Sequence, residues 1–428
     1  MKKLSGKIIA AAVSGGVVFA GASAAHAGAF ALKERSAKAQ GLSFAGATAG
    51  SGGLSSMGFN PGAIGLVTPG FNNGEISGGI SLILPSSDGE VEVNGVRTGE
   101  TFDAGRFGGV ANNYVGYRLE DDILIGLSVF TPFGLATEYP EASSVAADAI
   151  TSDLRTIQIA PTLGFEPIPG LTLGVSGQII YADARLTSSA VALEGNQTNA
   201  SFAVGALWDL GSTKLGLSYD HGYDLSLAGT ATFAPGALNP AIPVALTLPV
   251  IANAELPATV SAGIVQEIGS SFRVMGELQW QSWSDFDRID TNVDATSIGA
   301  GIIHSQDEQN YDDAFFVAVG AEYDVLDSLT VRGGAAFDQT PTSDGFLGGQ
   351  INSVNATDRT ARVPDEDRVW LSIGATYNMS EHMSIDAGYS YLFAINDSVV
   401  GLRNAAPGTQ VVYEGSAHIF SIGGSLKF

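Results

Sequence analysis

Apolar side chains recur at every second residue along most of this chain, and that period constrains the fold more than any other feature. In the C-terminal run, His418, Phe420, Ile422, Gly424, Leu426 and Phe428 share one parity, and Ile419, Ser421, Gly423, Ser425 and Lys427 share the other. Upstream, Val369, Leu371, Ile373, Ala375, Tyr377 and Met379 repeat the pattern, as do Met383, Ile385, Ala387, Tyr389, Tyr391 and Phe393. Leu171, Leu173, Val175, Gly177, Ile179 and Tyr181 do so again. A strand sends successive side chains to opposite faces, so each run has one apolar face and one small or polar face. A soluble sandwich also alternates. Here, though, the polar parity is mostly Gly, Ser, Thr and Asn rather than Lys and Glu, which suits the interior of a membrane barrel. Roughly ten tilted residues cross a bilayer.

About fourteen such strands can be counted, giving an all-β, antiparallel transmembrane barrel. They begin near Phe71, Phe107, Ile123, Asp153, Leu171, Thr198, Lys214, Leu256, Phe272, Tyr311, Leu329, Asp367, Met383 and Gly415. Six short connections (120–122, 167–170, 211–213, 269–271, 326–328 and 380–382) alternate with seven long ones. The long ones lie near 85–106, 131–152, 187–197, 229–255, 290–310, 339–366 and 394–414. Strict alternation is expected when every hairpin has one periplasmic and one outer end. Tyr114, Tyr117, Tyr181, Tyr323, Tyr377, Tyr389, Tyr391 and Phe428 fall near strand ends, where aromatic rings prefer the membrane interface.

Composition removes other classes. The 428 residues carry 44 Asp and Glu against 20 Lys and Arg, a net charge of -24, which suits a nucleic-acid binder badly. Charged residues are only 15% and hydrophobic ones 45%, unlike a disordered chain. With no cysteine, disulfides and thiol chemistry are excluded. Lys2, Lys3 and Lys7 precede an uncharged stretch over 8–25 that ends in Ala25-His26-Ala27. This reads as an export signal over 1–27, cleaved near Ala27. Export and a strand-built membrane domain point to the outer membrane of a Gram-negative bacterium.

Residues 28–70 break the two-residue period. They are small and glycine-rich, with a short helix expected over 30–39. Such a segment fits as a plug inside a lumen, where its backbone polar groups can bond to the wall. The expected organisation is therefore a signal over 1–27, a plug over 28–70 and a barrel over 71–428.

Motifs along the whole mature chain support this organisation. The plug carries Gly41-Leu42-Ser43-Phe44-Ala45-Gly46 and a turn at Asn60-Pro61-Gly62. Thr131-Pro132-Phe133-Gly134-Leu135-Ala136-Thr137-Glu138-Tyr139 follows the third strand, and Leu256-Pro257-Ala258-Thr259-Val260 opens the eighth. Trp280-Gln281-Ser282-Trp283-Ser284-Asp285-Phe286 ends the ninth, and Val363-Pro364-Asp365-Glu366-Asp367-Arg368-Val369-Trp370-Leu371-Ser372 opens the twelfth. In this order the chain resembles the FadL/TodX (OmpP1-type) outer-membrane transporters of long-chain fatty acids and other hydrophobic compounds. That family has a fourteen-stranded barrel plugged by an N-terminal hatch. One departure is Gly62, where the family usually has alanine; it loosens the plug or is neutral.

The resemblance implies passive uptake of hydrophobic molecules through an apolar path, movement of the hatch, and lateral exit at a kink in the third strand. A water-filled pore serves such solutes poorly. At about 0.8 kcal/mol per CH₂, a sixteen-carbon chain costs on the order of 12 kcal/mol to place in water. Pro132 and Gly134 are the candidates for the lateral opening, since proline cannot donate to a ladder. Phe133, Leu135, Trp280, Trp283 and Phe286 are the candidate ligand contacts. A carboxylate substrate needs a cation, for which Arg155, Arg185, Arg332 and Arg362 are candidates. Arg368 is expected to pair with Asp365 or Asp367 and brace the wall. Between 285 and 313 stand eight carboxylates and one Arg288, an acidic mouth that disfavours anions unless its charges are neutralised.

No catalytic residue, metal site or cofactor is expected. His221, His304, His382 and His418 form no metal-binding pair in sequence, and no G-x-S-x-G elbow occurs. The expected partners are a hydrophobic small molecule, outer-membrane lipid and lipopolysaccharide, and the barrel-assembly machinery through Phe428. The last is what the barrel class implies. No nucleic acid is expected, and the resemblance implies a monomer. The alternatives are a general aqueous porin and an outer-membrane barrel hydrolase.

Overall fold

A computed structural model describes residues 29–67, 73–342 and 359–428. The proposed export signal and its cleavage point near Ala27 lie outside the described residues, as do Phe71 and part of the 339–366 connection. Fourteen strands form the wall: β1 Gly74–Val93, β2 Gly108–Arg118, β3 Ile123–Phe130, β4 Thr151–Ile168, β5 Leu171–Thr187, β6 Val191–Asp209 and β7 Thr213–Asp220. Next come β8 Thr259–Ile268, β9 Phe272–Gln281, β10 Ala314–Leu326, β11 Leu329–Asp338, β12 Arg368–Asn378, β13 Met383–Ala394 and β14 Thr409–Lys427. Each pairs antiparallel with its sequence neighbour, and β14 closes the ring on β1 from Glu75–Lys427 to Val93–Thr409. Closure gives every strand a partner on both sides, with a local break between β2 and β3.

The two-residue period is realised as outside and inside. Large apolar side chains at Leu163, Val319, Ile373 and Ile422 are more than half exposed, forming the outer band that lipid would cover. Their neighbours point inward and bond to one another, as Ser81 with Ser421 (2.6 Å) and Ser372 with Ser390 (2.7 Å).

All six short connections lie at one end of the ring. At the other end the long connections build strands of their own. Val96–Asp103 folds back on β1, Gly134–Glu138 lies on β4, and Tyr223–Phe233 pairs with Leu246–Leu256. Arg288–Asp294 pairs with Ile302–Glu308. The 187–197 connection differs from expectation. β5 and β6 stay paired as far as Thr187–Ala192, so only three residues join them. Several wall strands are much longer than ten residues and stand beyond the bilayer. The expected long loop is instead a rigid hairpin.

Residues 29–67 are almost wholly buried and lie against the inward faces of the wall. Their only α-helix is one turn, Ala37–Gln40, where the Ser36 hydroxyl accepts from the Ala39 N–H (3.1 Å). The helix expected over 30–39 is therefore mostly absent. Residues 30–32 extend toward the strand break instead. Two 3₁₀ turns, Gly53–Gly58 and Pro61–Leu66, complete the segment.

The wall accommodates it with glycine. Every strand except β9 places a glycine on its inward face where this segment presses: Gly79, Gly116, Gly126, Gly164, Gly174, Gly205, Gly216, Gly263, Gly320, Gly334, Gly374, Gly388 and Gly423. Several are direct cross-strand partners, including Gly116–Gly126, Gly164–Gly174, Gly174–Gly205 and Gly320–Gly334. A methyl group on most of them would collide with main chain or side chain of residues 37–67. At β9 the place is taken by Glu277, which accepts bonds from the Thr48 N–H (3.1 Å) and the Thr48 hydroxyl.

Candidate functional site

The third strand stops pairing where the sequence places its proline. The β2–β3 ladder runs from Arg118–Leu124 to Asn113–Val129, and no β3 residue pairs with Gly108–Asn112. Those residues stay bonded to β1 on their other side. Beyond Phe130 the chain turns toward the lumen. There the Leu32 N–H donates to Pro132 O (2.8 Å), the Gly134 N–H donates to Phe30 O (2.9 Å), and Ala31 bridges Phe133. The wall thus has a local gap between β2 and β3, and the N-terminal segment takes up the hydrogen bonds of the departing strand.

Behind that bridge lies an apolar cluster. The Phe30 ring sits 4.9 Å from Trp283, 5.4 Å from Phe286 and 5.9 Å from Phe133. Leu135, Leu154, Leu225, Leu256, Tyr311 and Val363 complete the buried group. It is assembled from separate stretches along the whole chain. The strand pairing of Leu135 with Leu154 and the 3₁₀ turn Trp283–Asp285 bring in the loop residues. The indole N–H of Trp283 and the hydroxyls of Tyr311 and Tyr223 are buried without hydrogen-bond partners. Unsatisfied donors in apolar surroundings are costly, and a ligand acceptor would relieve them.

Four of the five candidate contacts, Phe133, Leu135, Trp283 and Phe286, meet in this cluster. Trp280 does not. It shares the parity of Leu278, turns to the outer face, and donates its indole N–H to Asp313 (3.1 Å). Tyr114 departs from the girdle expectation in the opposite sense. It is fully buried in the lumen and donates to Arg35 O (2.7 Å).

The candidate carboxylate-binding arginines are dispersed. Arg155 and Arg185 sit on the outward parity of β4 and β5, paired with Asp153 (2.6 Å) and Glu194 (3.2 Å). Arg332 faces inward but is enclosed by Glu322 (2.8 Å) and Thr376, remote from the aromatic cluster. Arg362 spends its donors on Asp148 O (2.8 Å), Thr151 O and Thr187 O, tying loops together. Burial pushes its guanidinium down. Arg368 pairs with Asp365 (2.8 Å) and Asp338 (3.4 Å). Asp365 also accepts the Ala29 N–H (2.8 Å), so this pairing reaches the N-terminal segment.

The turn at Asn60-Pro61-Gly62 is a fastening. The Asn60 side-chain Oδ1 accepts from the Gly62 N–H (2.8 Å), and its side-chain NH₂ donates to Thr48 O (2.8 Å) and to Ala206 O of β6 (2.9 Å). A Cβ at Gly62 would stand 2.8 Å from the β6 backbone, so glycine here permits close seating.

The acidic mouth is partly neutralised from elsewhere. Arg403 pairs with Asp307 and donates to Glu308 O (3.2 Å), while Asp313 accepts from Ser284 and Trp280. Of the histidines, His221 bonds Tyr219 (2.8 Å), His304 bonds Asn292 (2.5 Å) and His418 bonds Tyr389 (2.9 Å).

Sequence reasoning missed two cations inside the lumen, Lys33 and Arg35. Both stand directly beside the bridge at 30–32, and a Lys-Glu-Arg run in a glycine-rich segment was the signal. Between them the Glu34 carboxylate is buried without a partner, and burial pushes it up to about 7.

Comparison with known proteins agrees with this architecture. The chain is similar to the long-chain fatty acid transport protein of Salmonella typhi, 24% identical over 345 residues covering 72% of this chain and 74% of the relative. It is likewise similar to outer membrane protein P1 of Haemophilus influenzae, 24% identical over 366 residues, with 74% of each chain covered. Among solved structures, a FadL homologue of Pseudomonas aeruginosa superposes with a TM-score of 0.74 at 19% identity, covering 94% of this chain and all of the other. The toluene transporter TodX of Pseudomonas putida gives 0.69 at 16% identity over 94% of this chain and all of the other. These two show the shared fold. The family model described as outer membrane protein transport protein (OMPP1/FadL/TodX) matches residues 18–428, and the chain belongs to that outer-membrane family.

Proposed function

We propose that this protein carries hydrophobic molecules passively across the outer membrane, by a path that avoids bulk water. The observation that carries the proposal is the unpaired Gly108–Asn112 edge beside a buried aromatic cluster. Solute enters among the long connections, displaces side chains in the cluster, and leaves sideways between β2 and β3 into lipid. Pro132 and Gly134 hold that opening, and Phe133, Leu135, Trp283 and Phe286 touch the solute. Residues 29–67 act as the plug, fastened by Asn60, Pro61 and Gly62, and close the axial route to polar solutes. The relatives named as long-chain fatty acid and toluene transporters support this class of cargo. The carrier performs no chemistry on its cargo. It works as a monomer, surrounded by lipid and lipopolysaccharide, with Phe428 read by the barrel-assembly machinery.

The test compares two permeabilities in vesicles containing the purified protein. A labelled long-chain hydrocarbon or fatty acid should cross much faster than in empty vesicles, while sugars of disaccharide size should not. Equal sugar permeation would make the protein a general porin.

A further inference from the structure

Next to the aromatic cluster lies a small polar cavity, lined among others by Lys33, Arg35, Ser218, Asp220, Gln279 and Gln281. Lys33 is buried, donates only to the Gln279 side chain (2.9 Å), and lies 4.1 Å over the Phe316 ring. Arg35 donates to two main-chain carbonyls, Leu32 O (3.2 Å) and Gly58 O (2.8 Å), and stacks its guanidinium 4.8 Å from the Phe130 ring. Neither cation has a carboxylate within ion-pair distance among the described residues. The fully buried arginines of this barrel do: Arg332 with Glu322, Arg359 with Glu366 and Arg368 with Asp365, whereas the part-buried Arg362 is used up on loop carbonyls. Buried charges are ordinarily paired, so two unpaired ones at a single cavity mark a site built for an anion.

Four acidic groups surround the two cations, none of them at ion-pair distance. Asp220 faces the same space and is held by Gln178 (2.9 Å), and Glu277 is engaged by Thr48. Asp338 is engaged by Arg368, and Glu34 stands between the two cations. Ala31 both packs in the aromatic cluster and lines the cavity. A chain-like ligand could therefore place its tail among the aromatic rings and its head beside Lys33 and Arg35.

We infer that Lys33 and Arg35 form a receiving site for the anionic head of an amphipathic substrate, carried on the N-terminal segment itself rather than on the barrel wall. The inference rests on the transport reading and adds to it the choice between charged and neutral cargo. The wall arginines Arg155, Arg185 and Arg332 and the loop arginine Arg362 have no part in it. Because the site lies on residues 29–67, occupying it acts directly on the segment that fills the lumen.

The experiment uses the full-length protein in lipid nanodiscs and two probes of equal chain length, oleate and methyl oleate. The wild type should bind the carboxylate about tenfold more tightly than the ester, a difference expected of one charge-assisted contact pair. Lys33→Gln with Arg35→Gln should erase the preference while leaving ester affinity unchanged. Lys33→Arg with Arg35→Lys should retain it, and the outer-face control Arg185→Gln should behave as wild type. Equal binding of both probes by the wild type, or a preference that survives the double glutamine variant, would overturn the inference and leave transport standing. Failure of the wild type to bind either probe would overturn the transport reading and this inference with it.

Discussion

Ala31 and Phe133 form an isolated antiparallel bridge that ties the N-terminal segment to the place where β3 leaves the wall. Because the flanking bonds run from Leu32 to Pro132 and from Gly134 to Phe30, these two residues form the narrow kind of pair, with close Cα atoms. The chain contains no cysteine, so the bridge can be locked cleanly. Ala31→Cys with Phe133→Cys should form a disulfide within normal geometry. Uptake by the oxidised protein should fall by at least about tenfold relative to the same variant after reduction, as expected if opening requires this bridge to part. Equal uptake in both states would show that solute passes without disturbing it.

The glycine belt makes a separate prediction. Gly216 approaches Thr48 O, and Gly334 approaches Leu42 O, more closely than any side chain allows. Gly216→Val or Gly334→Val should unseat residues 37–67 while the outer face of the barrel is untouched. Cells carrying either variant should become sensitive to large polar antibiotics excluded by the outer membrane. Gly177→Val, which meets nothing within 4 Å, should not have this effect.

Two tryptophans three residues apart should behave differently. Trp283 is fully buried against Phe30, Phe286 and Tyr311, so Trp283→Ala removes a large ring from a packed cluster. A truncation of this kind costs about 3–5 kcal/mol of packing and should abolish saturable binding of a hydrophobic probe. Trp280→Ala acts on the outer face and should leave binding within about twofold of wild type, well under the ~1.4 kcal/mol that a tenfold change requires. Equal losses would place the path outside the cluster.

Glu34 should make stability depend on pH. Its neighbours in charge are Lys33, Arg35 and Asp338, and burial outweighs them, raising its carboxyl from 4.5 to about 7. The folded protein therefore holds a proton that the unfolded chain releases between these values. Stability contributed by the neutral carboxyl is present at low pH and is lost as pH rises toward 7. Glu34→Gln should raise thermal stability at pH 8, by an amount on the order of 3 kcal/mol at most, and change little at pH 4. A variant that gained stability equally at both pH values would contradict the assignment.

Most of the fold was legible because the barrel is written in parity. All fourteen strands were found from alternating apolar residues, and the same parity held the information needed to correct the site. Arg155 shares its parity with the exposed Ile159 and Leu163, Arg185 with Leu173 and Val175, and Trp280 with Leu278. Each could have been assigned to the outer face from sequence. The belt could have been read in the same way, as an inward glycine in successive strands. Other features depended on tertiary contacts with no local signature. The convergence of Phe30, Phe133 and Trp283 follows from loops folding inward after their strands end. Tyr114 was misjudged because its position near a strand end says nothing of the segment that covers it. Lys33 and Arg35 were overlooked because a charged pair in a plug reads as solvated until the lumen is seen to be filled.

The central claim is the sideways path, and covalent mapping of a hydrophobic probe tests it most directly. A long-chain hydrocarbon bearing a photoactivated diazirine would be loaded onto the protein in lipid nanodiscs, irradiated, and its attachment points located by mass spectrometry. The account predicts labels at Phe133, Trp283 and Phe286, and along the Gly108–Asn112 edge of β2. Labelling that bypassed this edge and appeared instead among Lys38, Lys214 and Arg273, which line the basin under the N-terminal segment, would contradict it and indicate exit along the barrel axis.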